Sequence, residues 1–169
     1  DEWQPQPLPN GSDRWPQGKA PPKVYAAMIE RMDAAVGRIL AALDQHGLAK
    51  NTLVVFTSDN GGTGSARPSG LRGGKGSTWE GGIRVPCIVR WPGTLPAGVT
   101  SSQVVLTFDL TASIVRASGA KLPAGRVLDG QDVLARLSER QPEASRTVFW
   151  RGRRGNGTWK AVRDGSLKY

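Results

Sequence analysis

The chain has 169 residues, a length that suits one domain able to bury a real core. Its 23 basic and 14 acidic side chains give a net charge of +9, a field that attracts phosphate, sulfate or other polyanions without selecting among them. The single cysteine, Cys87, excludes an internal disulfide and a cysteine-cluster metal site, and no apolar run approaches the ~20 residues of a membrane span.

With 22 glycines and 12 prolines, the chain is expected to hold many loops and few long regular elements. Residues 1–23 are rich in Pro, Gly and polar side chains and read as a connector, and they show no charged-then-apolar signal pattern. From Val24 the pattern changes. Met28, Met32, Ala35, Val36, Ile39, Leu40 and Leu43 recur at spacings of three and four, which predicts an amphipathic helix. Gly47 is its natural left-handed stop, with Leu48 placed to pack back on the last turn.

Residues 53–57, LVVFT, form a continuous apolar and β-branched run, as expected of a strand buried on both faces of a parallel sheet. A helix followed by a buried strand implies α/β architecture. Residues 87–91 predict a second strand closed by Pro92 and Gly93, and residues 103–108 a third. Asp109 is placed to cap a helix from Leu110 to about Ser118, ended by Gly119. Residues 128–137 predict a short helical turn. Residues 147–150, 158–163 and 166–169 read as antiparallel strands, the last two joined through the Asp164-Gly165 turn.

The chemistry gathers after the first strand. Ligands of open α/β sheets bind beyond the carboxyl ends of strands, and Asp59 and Asn60 stand there. A carboxylate beside a side-chain amide offers two hard oxygen donors, suited to Ca²⁺ or Mg²⁺. Asp-Asn-Gly also simply makes a tight turn, and from these residues alone both readings stand.

The loop that follows favours a site. Nine of the 22 residues from Gly61 to Gly82 are glycine, which lets backbone amides approach a ligand closely. Lys75 lies between Gly74 and Gly76, where its ammonium can meet an anionic oxygen as a point charge. The spacing excludes a P-loop: Ser69 stands where the first glycine is required, and Gly76 where Ser or Thr must follow the lysine. Arg67, Arg72, Arg84 and Arg90 accompany Lys75 and either guide an anion inward or are solvated and paired, with Glu80 an available partner. Trp79, Trp91, Trp150 and Trp159 are expected to pack, Trp79 being near enough to Lys75 to line a pocket. RGRRGNG, at residues 151–157, reads as a solvated turn between strands.

TSDNGG, then LRGGKGSTWEGGIRVP, then RWPGTLPAG resemble the C-terminal part of the catalytic domain of a type I, arylsulfatase-like sulfatase. The likeness extends from YAAMIERMDAAVGRILAALDQHGL through LTFDLTASIVRASGA and LDGQDV to the terminal hairpin, and the Lys75 segment is its most specific part. The resemblance implies part of an alkaline-phosphatase-like α/β/α sandwich over residues 24–125, after the connector of residues 1–23. Residues 126–169 would begin a small C-terminal antiparallel subdomain. It implies Asp59 and Asn60 as Ca²⁺ ligands, Mg²⁺ being the lesser alternative, and Lys75 as a catalytic, substrate-binding contact to the sulfate group. The nucleophile of that family is a hydrated formylglycine made from the cysteine of a Cys-x-Pro-Ser-Arg motif, which attacks sulfur, releases the alcohol and then expels sulfate.

That motif is absent here. Cys87 is followed by Ile-Val-Arg in a predicted strand and reads as structural, and His46, at the end of the amphipathic helix, as a capping or surface residue. The chain is therefore expected to be a sulfatase fragment that is inactive alone, its nucleophile lying elsewhere. A phosphate or phosphonate ester hydrolase of the same superfamily is one alternative, and a noncatalytic basic polyanion-binding module is another. The expected partners are a small sulfate ester or a sulfated glycan. Nucleic acid is not expected, because the aromatics do not alternate with basic residues along a strand. Association through exposed faces of a fragment is open, and the resemblance points to a periplasmic or secreted protein.

Overall fold

The computed structural model describes residues 21–63, 66, 70–154 and 157–169. Most of the expected connector, together with Arg67 and Ser69, lies outside these residues. The described chain divides into two compact units, one built on residues up to 46 with 56–88 and the other on residues 47–55 with 89–169.

Helix α1 spans Pro22–Gln45, begins with proline in the first turn and ends beyond His46 at Gly47, whose φ of +67° is the expected left-handed stop. Its apolar stripe is present in sequence, yet none of its residues is buried within this chain. Leu48, expected to pack back on the last turn, is likewise exposed. Strand β1, Val54–Thr57, pairs with β2, Cys87–Arg90, as a two-stranded sheet. The expected burial of β1 on both faces is not met: Val54, Val55 and Phe56 are half-buried. In this chain the sheet has no further strand among the described residues to cover it.

No strand forms at residues 103–108. A side chain, not a paired backbone, links this segment to residue 144. The Gln103 amide accepts from the Ala144 N–H at 2.7 Å and donates to the Ala144 carbonyl at 3.1 Å. Helix α3 then begins earlier than expected and spans Thr107–Ala117. Asp109 sits inside its first turn, not before it, and its carboxylate reaches back to accept the Leu106 N–H at 2.7 Å. Gly119 ends α3 with φ +69°, as expected.

Fully buried Asp109 also accepts from the Gln131 N–H at 2.9 Å and from Arg146 Nη1 at 2.6 Å. One turn on, buried Ser113 accepts from the Val133 N–H at 3.0 Å, at the start of helix α4, Val133–Ser138. These two polar side chains tie α3 to α4 and to the residue before the C-terminal sheet. Among the described residues Leu110, Ala112, Val133, Leu134, Val148 and Ala161 are the buried apolar ones.

The C-terminal sheet is antiparallel in the order β3, Thr147–Arg154, then β4, Gly157–Asp164, then β5, Leu167–Lys168. RGRRGNG is thus mostly strand, with Arg151 opposite Lys160 and Gly152 opposite Trp159. The Trp159 indole covers Gly152 and leaves no room for a Cβ there.

A short helix, α2, Glu80–Ile83, was not foreseen; it closes the glycine-rich loop before β2. No described helix is long and apolar enough to cross a membrane.

Candidate functional site

Strand β1 ends at Thr57, and the chain bends immediately through Ser58, Asp59 and Asn60. The Ser58 hydroxyl donates to the Asn60 carbonyl at 2.9 Å, which folds the bend on itself without using either predicted ligand side chain. Asp59 is exposed and Asn60 half-buried, both just past the carboxyl end of the strand.

The Lys75 loop is brought to this bend by its backbone. The Lys75 N–H donates to the Gly62 carbonyl at 3.0 Å, and the Gly61 N–H donates to the Gly82 carbonyl at 2.9 Å. Farther round, Gly81 N–H meets the Arg72 carbonyl at 2.8 Å and Gly82 N–H the Trp79 carbonyl at 2.8 Å. A Cβ at Gly61 would overlap the Gly81 carbonyl, one at Gly81 the Gly73 carbonyl, and one at Gly82 the Ser77 carbonyl. The glycines therefore serve close approach of backbone to backbone. The amides of Gly61, Gly81 and Gly82 are bonded within the loop.

Lys75 projects from a turn whose flanks, Gly73 and Gly76, have φ of +81° and +88°. Together with Gly62, Thr63, Ala66, Gly74 and Ser77 it lines an open cleft. A second cleft belongs to the other unit, among Ala112, Arg116, Leu122 and Arg126, and no predicted site residue lines it.

The neighbouring cations differ in what they do. The Arg72 guanidinium stacks 3.7 Å from the centre of the Trp79 ring, so both are engaged with each other. Arg84 is exposed where α2 ends, and Arg90 is half-buried at the end of β2. Cys87 opens β2, and partial desolvation pushes its thiol above the usual range, the reverse of what a nucleophilic cysteine requires. His46 caps α1 through its N–H to the Ala42 carbonyl at 3.0 Å and is exposed, as expected.

Sequence reasoning passed over Ser77, whose hydroxyl donates to the Gly74 carbonyl at 2.9 Å and closes the Lys75 turn. Its signal was present, a serine two residues after the lysine across a glycine, where a hydroxyl can fold back on the turn. Among the described residues no three or more of His, Cys, Asp and Glu stand together as a metal cluster.

The Sulfatase family model matches residues 3–120. Over 123 residues the chain is 46% identical to the steryl-sulfatase of Mus musculus, covering 67% of this chain and 20% of that protein. In structure it is similar to Ps i-CgsB solved in complex with k-i-k-neocarrahexaose, with a TM-score of 0.81 at 32% identity over 95% of this chain and 35% of that one. A further solved protein, in complex with its substrate D-glucosamine-2-N,6-O-disulfate, shares the fold at a TM-score of 0.68 and 23% identity, over 85% of this chain and 30% of that one. The chain thus spans between 20% and 35% of these proteins and carries part of their α/β fold.

Proposed function

The chain belongs to the Sulfatase family, and we propose that it supplies one part of the active site of a sulfate-ester hydrolase. In this reading Asp59 and Asn60 are oxygen ligands of Ca²⁺, Lys75 contacts the sulfate group, and a formylglycine nucleophile comes from protein outside this chain. The observation that carries it is the 3.0 Å bond from the Lys75 N–H to the Gly62 carbonyl, which fastens the lysine turn to the segment just after Asp59 and Asn60.

The donor set fits a hard cation in kind, a carboxylate and an amide oxygen at a strand end. In number it is only part of a sphere, since Ca²⁺ takes about six to eight oxygens. When bound, Ca²⁺ would neutralise charge developing on the sulfuryl oxygens. Lys75 stabilises the same charge as a compact ammonium, with no proton transfer required of it. The hydrogen-bonded loop fixes the turn from which the lysine side chain leaves the backbone before substrate arrives, which lessens the reorganisation needed at the moment of reaction.

Because neither a nucleophile nor a full ligand sphere is contributed by these residues, the 169-residue chain alone is inactive in this reading and binds Ca²⁺ weakly. Steryl or aryl sulfates and sulfated sugars are all compatible with it, since Lys75 addresses only the sulfate group. The test uses the full-length protein with 4-nitrophenyl sulfate and 4-nitrophenyl phosphate. Lys75→Ala should lower kcat/KM for the sulfate by about 100-fold while the melting temperature stays close to that of the unmodified protein. An unchanged rate would remove Lys75 from the mechanism. Preferential turnover of the phosphate would move the assignment to a phosphate-ester hydrolase.

A further inference from the structure

We infer that Ser77 is the positioning residue for Lys75, a role that rests on reading Lys75 as the sulfate contact. The Ser77 hydroxyl is half-buried within the loop. Its Oγ donates to the Gly74 carbonyl at 2.9 Å and accepts from the Gly74 N–H at 3.3 Å, while the Ser77 N–H donates to the same carbonyl at 3.0 Å. One side chain thus engages both polar backbone groups of the residue that precedes Lys75.

Between these anchored ends stand only Lys75 and Gly76, the latter at φ +88°, as the third position of a tight turn of this kind demands. The Lys75 N–H is itself committed to the Gly62 carbonyl. Around the hydroxyl the backbone closes: a Cβ at Gly73 would lie 2.5 Å from Ser77 Oγ, and one at Gly82 2.7 Å from it.

The influence on Lys75 passes through the turn. A lysine side chain has several rotatable bonds, so what the protein can fix cheaply is the direction in which it leaves the backbone. Losing the hydroxyl leaves Gly74 held only at its carbonyl by the Ser77 N–H and loosens that direction, and a misplacement of ~1 Å at a reacting centre can cost on the order of 100-fold in rate. A serine that merely stabilised the loop would act whether or not a lysine stood on the turn. That difference is measurable.

The experiment is a double-mutant cycle in the full-length protein, with 4-nitrophenyl sulfate as substrate and inorganic sulfate as competitive inhibitor. Ser77→Ala should lower kcat/KM about tenfold and raise the Ki of sulfate, whereas the same substitution in a Lys75→Ala background should change kcat/KM by less than about twofold. Gly76→Ala is a second probe: it strains the turn at a position with nothing within 4 Å while leaving the hydroxyl in place, and it should show the same dependence on background. If Ser77→Ala does not fold, Ser77→Cys, which keeps the size of the side chain but weakens both of its hydrogen bonds, is measured in the two backgrounds in its place. Equal losses with and without Lys75, or no loss in the unmodified protein, would overturn the inference. Failure of the Lys75 reading itself is seen separately, in Lys75→Ala alone.

Discussion

At Gly61 the atoms that an added Cβ would meet are all backbone: the Gly81 carbonyl oxygen, and the Gly81 carbonyl carbon and Gly82 Cα at 2.7 Å each. None is the end of a flexible side chain that can swing away. Gly61→Ala should therefore destabilise the unit that holds it by at least ~2 kcal/mol, in the range of an overpacked core. Gly37 is the opposite case. It lies inside α1 with nothing within 4 Å, so alanine there meets open space and restricts the unfolded chain. Gly37→Ala should stabilise α1 by ~0.5–1 kcal/mol. Urea unfolding followed by circular dichroism checks both; the same sign for the two would contradict this account of the glycines. The contrast also marks a limit of sequence reading at this scale. A count of glycines does not distinguish close backbone approach from an open anion cradle, because both need the missing side chain and only the carbonyl partners differ.

Among the elements, legibility followed the range of the forces involved. Helix α1 and its stop at Gly47 were readable because spacing and a left-handed glycine are local properties. The antiparallel strands were readable from β-branched runs and the Asp164-Gly165 turn, though β3 ran on to Arg154 through residues that looked like a solvated turn. The segment at residues 103–108 forms no strand although its apolar run resembles one, and the chain just before it is held by a residue about 40 positions away. There the Glu143 carboxylate accepts from the Ser101 hydroxyl at 2.9 Å, the Ser102 N–H at 2.6 Å and the Ser102 hydroxyl at 2.5 Å. The Ser102 hydroxyl first, then Ser101 and the Ser102 amide, hold the Glu143 carboxyl below its ordinary range. A carboxyl depressed in the folded state stabilises it above the unfolded value of ~4.3, and that contribution is lost as pH falls through the lower folded value. The protection factor of the Ser102 amide should consequently fall as pH drops below the ordinary carboxyl range, with no step at higher pH. Glu143→Gln, which has no such carboxyl to protonate, should remove the acid step. An acid step of equal size in the Gln variant would assign the loss to another group.

For the chain as a whole, the α/β class and the end of β1 just before Asp59 and Asn60 were both legible, because an apolar, β-branched run followed by Asp-Asn-Gly is a compact signal. The cover of α1 was not legible, since amphipathicity shows that a face is apolar and says nothing of what lies on it. None of the residues of α1 is buried. Met28 is 62% exposed and Ile39 60%, with Ile29 and Met32 also exposed on the same helix. Apolar surface grouped along one helix drives association unless it is covered. The isolated 169-residue chain should accordingly self-associate as its concentration rises, which sedimentation velocity would report as a shift of the main boundary. Met28→Glu with Ile39→Glu keeps good helix formers at both positions, so far-UV circular dichroism should not change. Removing two exposed apolar side chains from each copy should weaken association by at least ~10-fold, given the ~1.5–3 kcal/mol that full burial of one such side chain contributes. A chain that stays monomeric throughout, or a doubly substituted chain that associates as strongly as the original, would show that α1 is not the sticking face.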